Sequence, residues 1–188
     1  MEAKQRKLAL VTLLGKKYSG MVDIPSDTSR TTDLFNSTNI FWKNPHEKFY
    51  DNAILMYDAR LFLDDNAVYK KFEQIHIKLS DIVYLYDDIE EIGNDVEKKR
   101  ASAMGRQTLE GDQAINIIIR QAANSFYDIN GVFSGLFKKK SKDKFIPLTQ
   151  ANIVEIYRKE DKWVKKPVRL PHHFICINNE HIESVSFG

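Results

Sequence analysis

The sequence predicts a mainly β fold: two tandem small five-stranded barrels joined by a partly helical linker. Ile75, Ile77, Ile82 and Leu85 are answered 100 residues later by Ile175, Ile177, Ile182 and Val185. Upstream of each set lies a second matching run, Ala53 to Leu61 and Phe145 to Ile153. Between clusters of turn-forming residues, apolar side chains recur with a period of two, the period of a half-buried strand. A unit of strands present twice follows from these three features.

The first half is expected over residues 1–86. Leu8 to Leu14 is a short apolar run closed by Gly15-Lys16-Lys17, and Tyr18, Gly20, Val22 and Ile24 then share one face, which makes a hairpin. Pro25 to Asp33 is dense in turn formers, so 25–52 reads as a long insertion that carries its own aromatics in Phe35, Phe41 and Trp42. Ala53 to Leu63 supplies the third strand and Asp64-Asp65-Asn66 a turn. Phe72 to Leu79 supplies the fourth strand, Ser80-Asp81 a tight turn and Ile82 to Tyr86 the fifth strand. Residues 87–113 change character, acidic at Asp87-Asp88 and Glu90-Glu91 and basic at Lys98-Lys99-Arg100; they read as a linker, helical over 95–104. The second half, 114–188, opens with Ile115, Ile117 and Ile119 on one face and turns near Ala122 to Ser125. It resumes from Phe126 to Phe133, and Arg158 to Pro171 is its own expansion.

Composition limits the function classes. The 188 residues carry 43% hydrophobic and 29% charged residues, enough for a packed core under a water-facing surface. A net charge of +2 is far from the footprint of a chain that is basic throughout, so only a local patch can serve a polyanion. The lone Cys176 cannot form an internal disulfide, and the apolar run after the basic N-terminus is too short for a signal sequence or a membrane span. The expected location is the cytoplasm, with no membrane association and no small-molecule cofactor.

The run Leu10 to Val22 with Gly15 and Gly20, followed by Ala53 to Leu63, Ile75-His76-Ile77-Lys78 and Ile82-Val83-Tyr84, resembles the five-strand order of Sm-like and related SH3-like small β-barrels. It is also similar to an uncharacterised family of bacterial proteins built on this barrel. The Gly-x-x-h-x-Gly hairpin of the Sm family is matched at Gly15 and Gly20. Its RNA pocket is not: Asp33 and Asn36 stand in a much longer loop, and Lys78-Leu79 replaces the Arg-Gly pair. The resemblance implies the fold and no RNA pocket.

No catalytic residue is expected, and no metal site. His172-His173 with Cys176 matches no zinc spacing, and neighbouring strand residues point to opposite faces. Cys176 lies in the apolar run Phe174 to Ile177, where a buried inert thiol is expected rather than a nucleophile. Asp27-Thr28-Ser29 is similar to the ligand element of PilZ barrels, but Thr32 occupies the glycine position and no Arg-x-x-x-Arg precedes it.

Two binding candidates stand out. Arg30, Thr31, Thr32, Asp33, Phe35 and Asn36 combine hydrogen-bonding side chains with apolar anchors and fit a contact with a protein partner; the same residues also fit a short helix from Leu34 capped by Asp33. Lys138, Lys139, Lys140, Lys142 and Lys144, with Lys165 and Lys166 around Trp163, form the concentrated basic surface, which suits nucleic acid or simply keeps strand edges soluble. The leading expectation is a non-enzymatic binding or assembly module that self-associates or captures a protein partner. An RNA- or DNA-binding regulator using the second half's basic loops is the alternative, and a weak enzyme or small-ligand sensor comes third.

Overall fold

The computed structural model describes residues 4–25, 31–36, 53–63, 67–88, 112–121, 124–134 and 144–188. Those residues are mainly β. The first half holds β1 (Lys4–Thr12), β2 (Lys17–Ile24), the helix α1 (Thr31–Asn36), β3 (Ala53–Phe62), β4 (Val68–Lys78) and β5 (Ile82–Asp87). The second holds β6 (Asp112–Arg120), β7 (Ser125–Ser134), β8 (Phe145–Lys159), β9 (Lys162–Val168), β10 (Ile175–Asn178) and β11 (Ile182–Phe187). The expected helical linker and most of the 25–52 insertion lie outside the described residues. The tight turn expected at Ser80-Asp81 is a single 3₁₀ turn, Leu79–Asp81, and the second half has its counterpart at Asn179–His181.

All pairings are antiparallel and join the strands into one sheet, in the order β11-β6-β7-β8-β10-β5-β1-β2-β3-β4, with β9 paired to β8 beside β10. Both halves use the same pairings in the same register. Ile54 faces Ile77 as Ile146 faces Ile177. Val11 faces Tyr84 and Thr12 faces Ile82, with a bulge at Val83; Ile118 faces Ser184 and Ile119 faces Ile182, with a bulge at Glu183. The second irregularity also repeats. Gly20 is skipped between Ser19 and Met21, opposite Asp58 at φ 47°, and Gly131 is skipped between Asn130 and Val132, opposite Gln150 at φ 51°. Such a bulge bends the strand sharply and lets a small sheet curl. Glycine is required there because the facing backbone leaves no room: a Cβ at residue 20 would sit 2.8 Å from the Tyr57 carbonyl oxygen, and one at residue 131 would sit 3.1 Å from that of Thr149.

Two apolar cores result, and the strands between them serve both. Leu8 and Leu10 of β1 point into the first core, with Ile54, Met56, Ile77 and Ile82; Ala9 and Val11 point into the second, with Ile117, Ile129, Leu148 and Ile177. β5 is buried along its whole length, and β10 sends Cys176 one way and Ile175 and Ile177 the other. Burial on both faces is why these strands read as continuous apolar runs rather than as alternating ones.

Two outcomes test the register. Ile77→Ala and Ile177→Ala should each destabilise the protein by about 2–5 kcal/mol in chemical denaturation, the range for truncating a buried aliphatic side chain. Gly20→Ala should cost more than Gly131→Ala, because the first Cβ meets backbone inside the contact limit while the second needs only a small shift.

Candidate functional site

Residues expected to meet a partner are spent inside the chain. Thr31, Thr32, Leu34 and Phe35 of α1 are buried, Asn36 is half-buried and Asp33 is exposed in the helix's first turn; Arg30 lies outside the described residues. The helix runs over Thr31–Asn36, three residues earlier than a helix capped by Asp33 at Leu34 would start. Its side chains clasp the second half. The Asn36 amide donates to the Phe145 carbonyl (2.8 Å) and its Oδ1 accepts from the Phe145 N–H (2.7 Å), as a neighbouring strand would do. The Phe35 ring meets that of Phe145 edge-on at 5.2 Å, and the Thr32 hydroxyl lies 3.3 Å from the Cys176 sulfur. Cys176 is fully buried, as its apolar run implies.

A buried polar chain extends the clasp. Arg6 donates to the Thr31 hydroxyl (2.8 Å), which donates to Asp87 Oδ1 (2.7 Å). From the segment between β9 and β10, His172 Nε2 donates to the Asp87 carbonyl (2.8 Å) while its Nδ1 accepts from the Phe174 N–H (3.2 Å). Asp87 Oδ2, His76 Nε2 and Gln121 Oε1 are buried polar atoms with no hydrogen-bond partner among the described residues.

The direct joint between halves is short. Cys176 faces Leu85 and Ile177 faces Tyr84. It is reinforced by Asn178, whose amide donates to the carbonyls of Leu79 (3.2 Å) and Ile82 (2.9 Å), and by His181, which donates to the Ser80 carbonyl (2.6 Å). Beneath it, the Tyr84 and Tyr127 rings pack edge-on at 5.3 Å, and Gln121 donates to the Tyr127 hydroxyl (3.1 Å). Burial, and secondarily the Glu155 charge, pushes the Tyr127 hydroxyl well above the ordinary tyrosine value, while a hydrogen bond with Tyr84 opposes the shift.

Three strand edges stay open among the described residues: β4 pairs only with β3, β11 only with β6 and β9 only with β8. Of the basic candidates, Lys138, Lys139, Lys140 and Lys142 lie outside the described residues. Lys144 is tied to Glu180 at 3.4 Å. Trp163 and Lys165 are exposed and share the outer face of β9, while the half-buried Lys166 points to the opposite face. The β8–β9 hairpin that presents them had no sequence signal beyond its charge, because Arg158 to Pro171 does not alternate cleanly. Among the described residues, no group of three or more His, Cys, Asp or Glu side chains is placed to hold a metal, and no helix is long and apolar enough to cross a membrane. No family model, curated protein or solved structure matches the chain.

Asn36→Ala leaves both backbone groups of Phe145 without a partner, so a loss of about 2 kcal/mol or more is expected in denaturation, each stranded group costing roughly 1–3 kcal/mol. The raised Tyr127 value carries a sign. Below the ordinary tyrosine value of about 10 its contribution is fully present, and as pH climbs past that point the unfolded chain ionises first and stability falls. Thermal melts should therefore steepen their decline above about pH 10, and Tyr127→Phe should flatten it.

Proposed function

We propose that the chain is a non-enzymatic, cytoplasmic binding module of two barrel-like halves, 1–86 with five strands and 114–188 with six, joined by 87–113, that captures an extended segment of a protein partner along the edge of β4 left open among the described residues. The supporting observation is the internal joint. There β10 accepts β5 as a neighbouring strand, with Cys176 opposite Leu85. The position of β4 that matches Cys176 is His76: each faces the strand before it at a corresponding residue, Pro147 for Cys176 and Leu55 for His76. Pro147 has no N–H to give, so Cys176 turns its backbone N–H and C=O toward β5. By the same register His76 turns its own outward, to the unoccupied side of β4.

A partner segment resembling β5 suits this edge, because a strand added there gains backbone hydrogen bonds while its alternate side chains meet the sheet's surface. A second copy of the chain is the poorer occupant. Tyr84 and Tyr86, each 2% exposed in the internal joint, correspond to Ser184 and Ser186, both exposed, so β11 lacks the apolar surface that makes the joint hold. Light scattering is expected to show one copy per particle.

A labelled peptide with the β5 sequence Ile82–Asp87 tests the reading by fluorescence anisotropy. Binding that His76→Pro abolishes, with the β3–β4 ladder intact by circular dichroism, is the expected result, since proline on an edge strand removes only the outward N–H. A peptide that fails to bind, or binds the proline variant equally, overturns it.

A further inference from the structure

We propose that the outer face of the β8–β9 hairpin binds single-stranded nucleic acid, stacking a base on Trp163 and holding an adjacent phosphate with Lys165 of the same face. This inference stands apart from strand capture at β4 and uses the other half of the chain. The hairpin is longer than the fold requires. In the first half β3 and β4 begin their ladder at Phe62 and Val68, and the matching position in β8 is Val154, opposite Pro167. The ladder of β8 and β9 nonetheless continues five pairs further, to Lys159 opposite Lys162. Glu160 and Asp161, both at positive φ, close it in a two-residue turn whose twist matches the strands. The end of the extension, Arg158 to Trp163, lies beyond the last β7–β8 pair, Ser125 opposite Tyr157.

What it carries is an exposed aromatic among cations. Trp163 is 57% exposed, and its ring is held edge-on by Phe126 at 5.8 Å, which fixes its orientation without covering it. Lys165 stands two residues along the same face, roughly 7 Å away at the usual rise of a strand. Arg158 lies directly opposite Trp163 and is tied to Asp161 of the turn at 3.1 Å. Lys165 is exposed and has no ion pair among the described residues; Lys159 and Lys162, the last pair of the ladder, are exposed on the other face. A rigid indole for a base and mobile ammonium groups for phosphate are the two components of sequence-tolerant single-strand binding. An unpaired base can present its face to the indole, whereas a duplex keeps its bases stacked on one another; this is why the proposal specifies a single strand.

The rest of that face favours a polar ligand over an apolar one. Its positions on β6 and β11 are Asn116, Ile118, Ser184 and Ser186, where the first half has Ala9, Val11, Tyr84 and Tyr86 buried under its neighbour. The surface that serves as a core in one half is hydrophilic and open in the other.

Fluorescence anisotropy with a labelled oligo(dT) of about 12 nucleotides, a length within known site sizes, decides the matter. At about 50 mM salt the intact chain should bind, and affinity should fall steeply by about 200 mM. Trp163→Ala should weaken binding roughly 5- to 150-fold, the range for one lost stack. Lys165→Ala should lower the salt slope by about one unit, with unchanged denaturation midpoints for both variants. Absence of binding at low salt overturns the proposal. So does equal affinity for duplex, for polyglutamate, or for Trp163→Ala.

Discussion

Everything in this chain depends on three strands that are buried on both faces. β1, β5 and β10 lie side by side at the middle of the sheet, and each feeds alternate side chains to one core and then the other. A strand so placed has no solvent side, so each of its residues must be apolar or fully hydrogen-bonded. The sequence obeys this at Leu8 to Val11 and at Ile82 to Tyr86. Of the polar exceptions in the seam, Asn178 donates to two carbonyls of the preceding half, while Asp87 accepts from Thr31 at Oδ1 and keeps a buried Oδ2 with no partner among the described residues. Because two residue pairs alone would be a weak joint, the clasp from α1 and the brace from His172 give the seam most of its directional contacts.

The shared seam makes the halves unequal. Within the first half, α1 and the second half's Phe145 and Cys176 complete a core that the β strands alone leave open on one side. The second half draws Ala9, Val11, Tyr84 and Tyr86 into its own core in return. Each half is thus finished by the other, and each is too small to bury much surface unaided. Divergence was free elsewhere. The first half kept short hairpins and an open β4 edge, while the second lengthened β8 and β9 and turned its outer face polar.

Much of the fold was legible because the strand signal is local. The matching of Ala53 to Leu61 with Phe145 to Ile153, and of Ile77 with Ile177, rests on side-chain alternation within single strands, and the register preserves both. The seam was not legible. Which edge of one half meets which edge of the other is decided by contacts between residues about 90 apart, and nothing in the sequence near Leu85 names Cys176 as its neighbour. α1 misled for a related reason: Thr31, Thr32 and Asn36 carry the hydrogen-bonding groups of a recognition loop, and they do recognise a surface, but it belongs to the same chain. The β8–β9 hairpin escaped because Lys162, Lys165 and Lys166 break the alternation that the strand would otherwise show.

The same logic separates the two proposed binding surfaces. An edge gives affinity through backbone groups and is indifferent to most of the partner's sequence, so its selectivity comes from the side chains that flank it. On β4 those are mixed: Val68 and Tyr69 are exposed at one end, Lys70 and Lys71 follow, and Ile77 is buried at the other. An apolar, aromatic strand fits the buried end near His76, where β5 fits β10 in the internal joint. The β8–β9 hairpin, beside β10 in the sheet, also has an edge that is unpaired among the described residues, but the chemistry proposed for it lies in side chains. The capture by backbone proposed for β4 and the charge and stacking proposed for the β8–β9 hairpin are therefore independent, and a chain built from one repeated unit can hold both because, among the described residues, the seam covers neither surface.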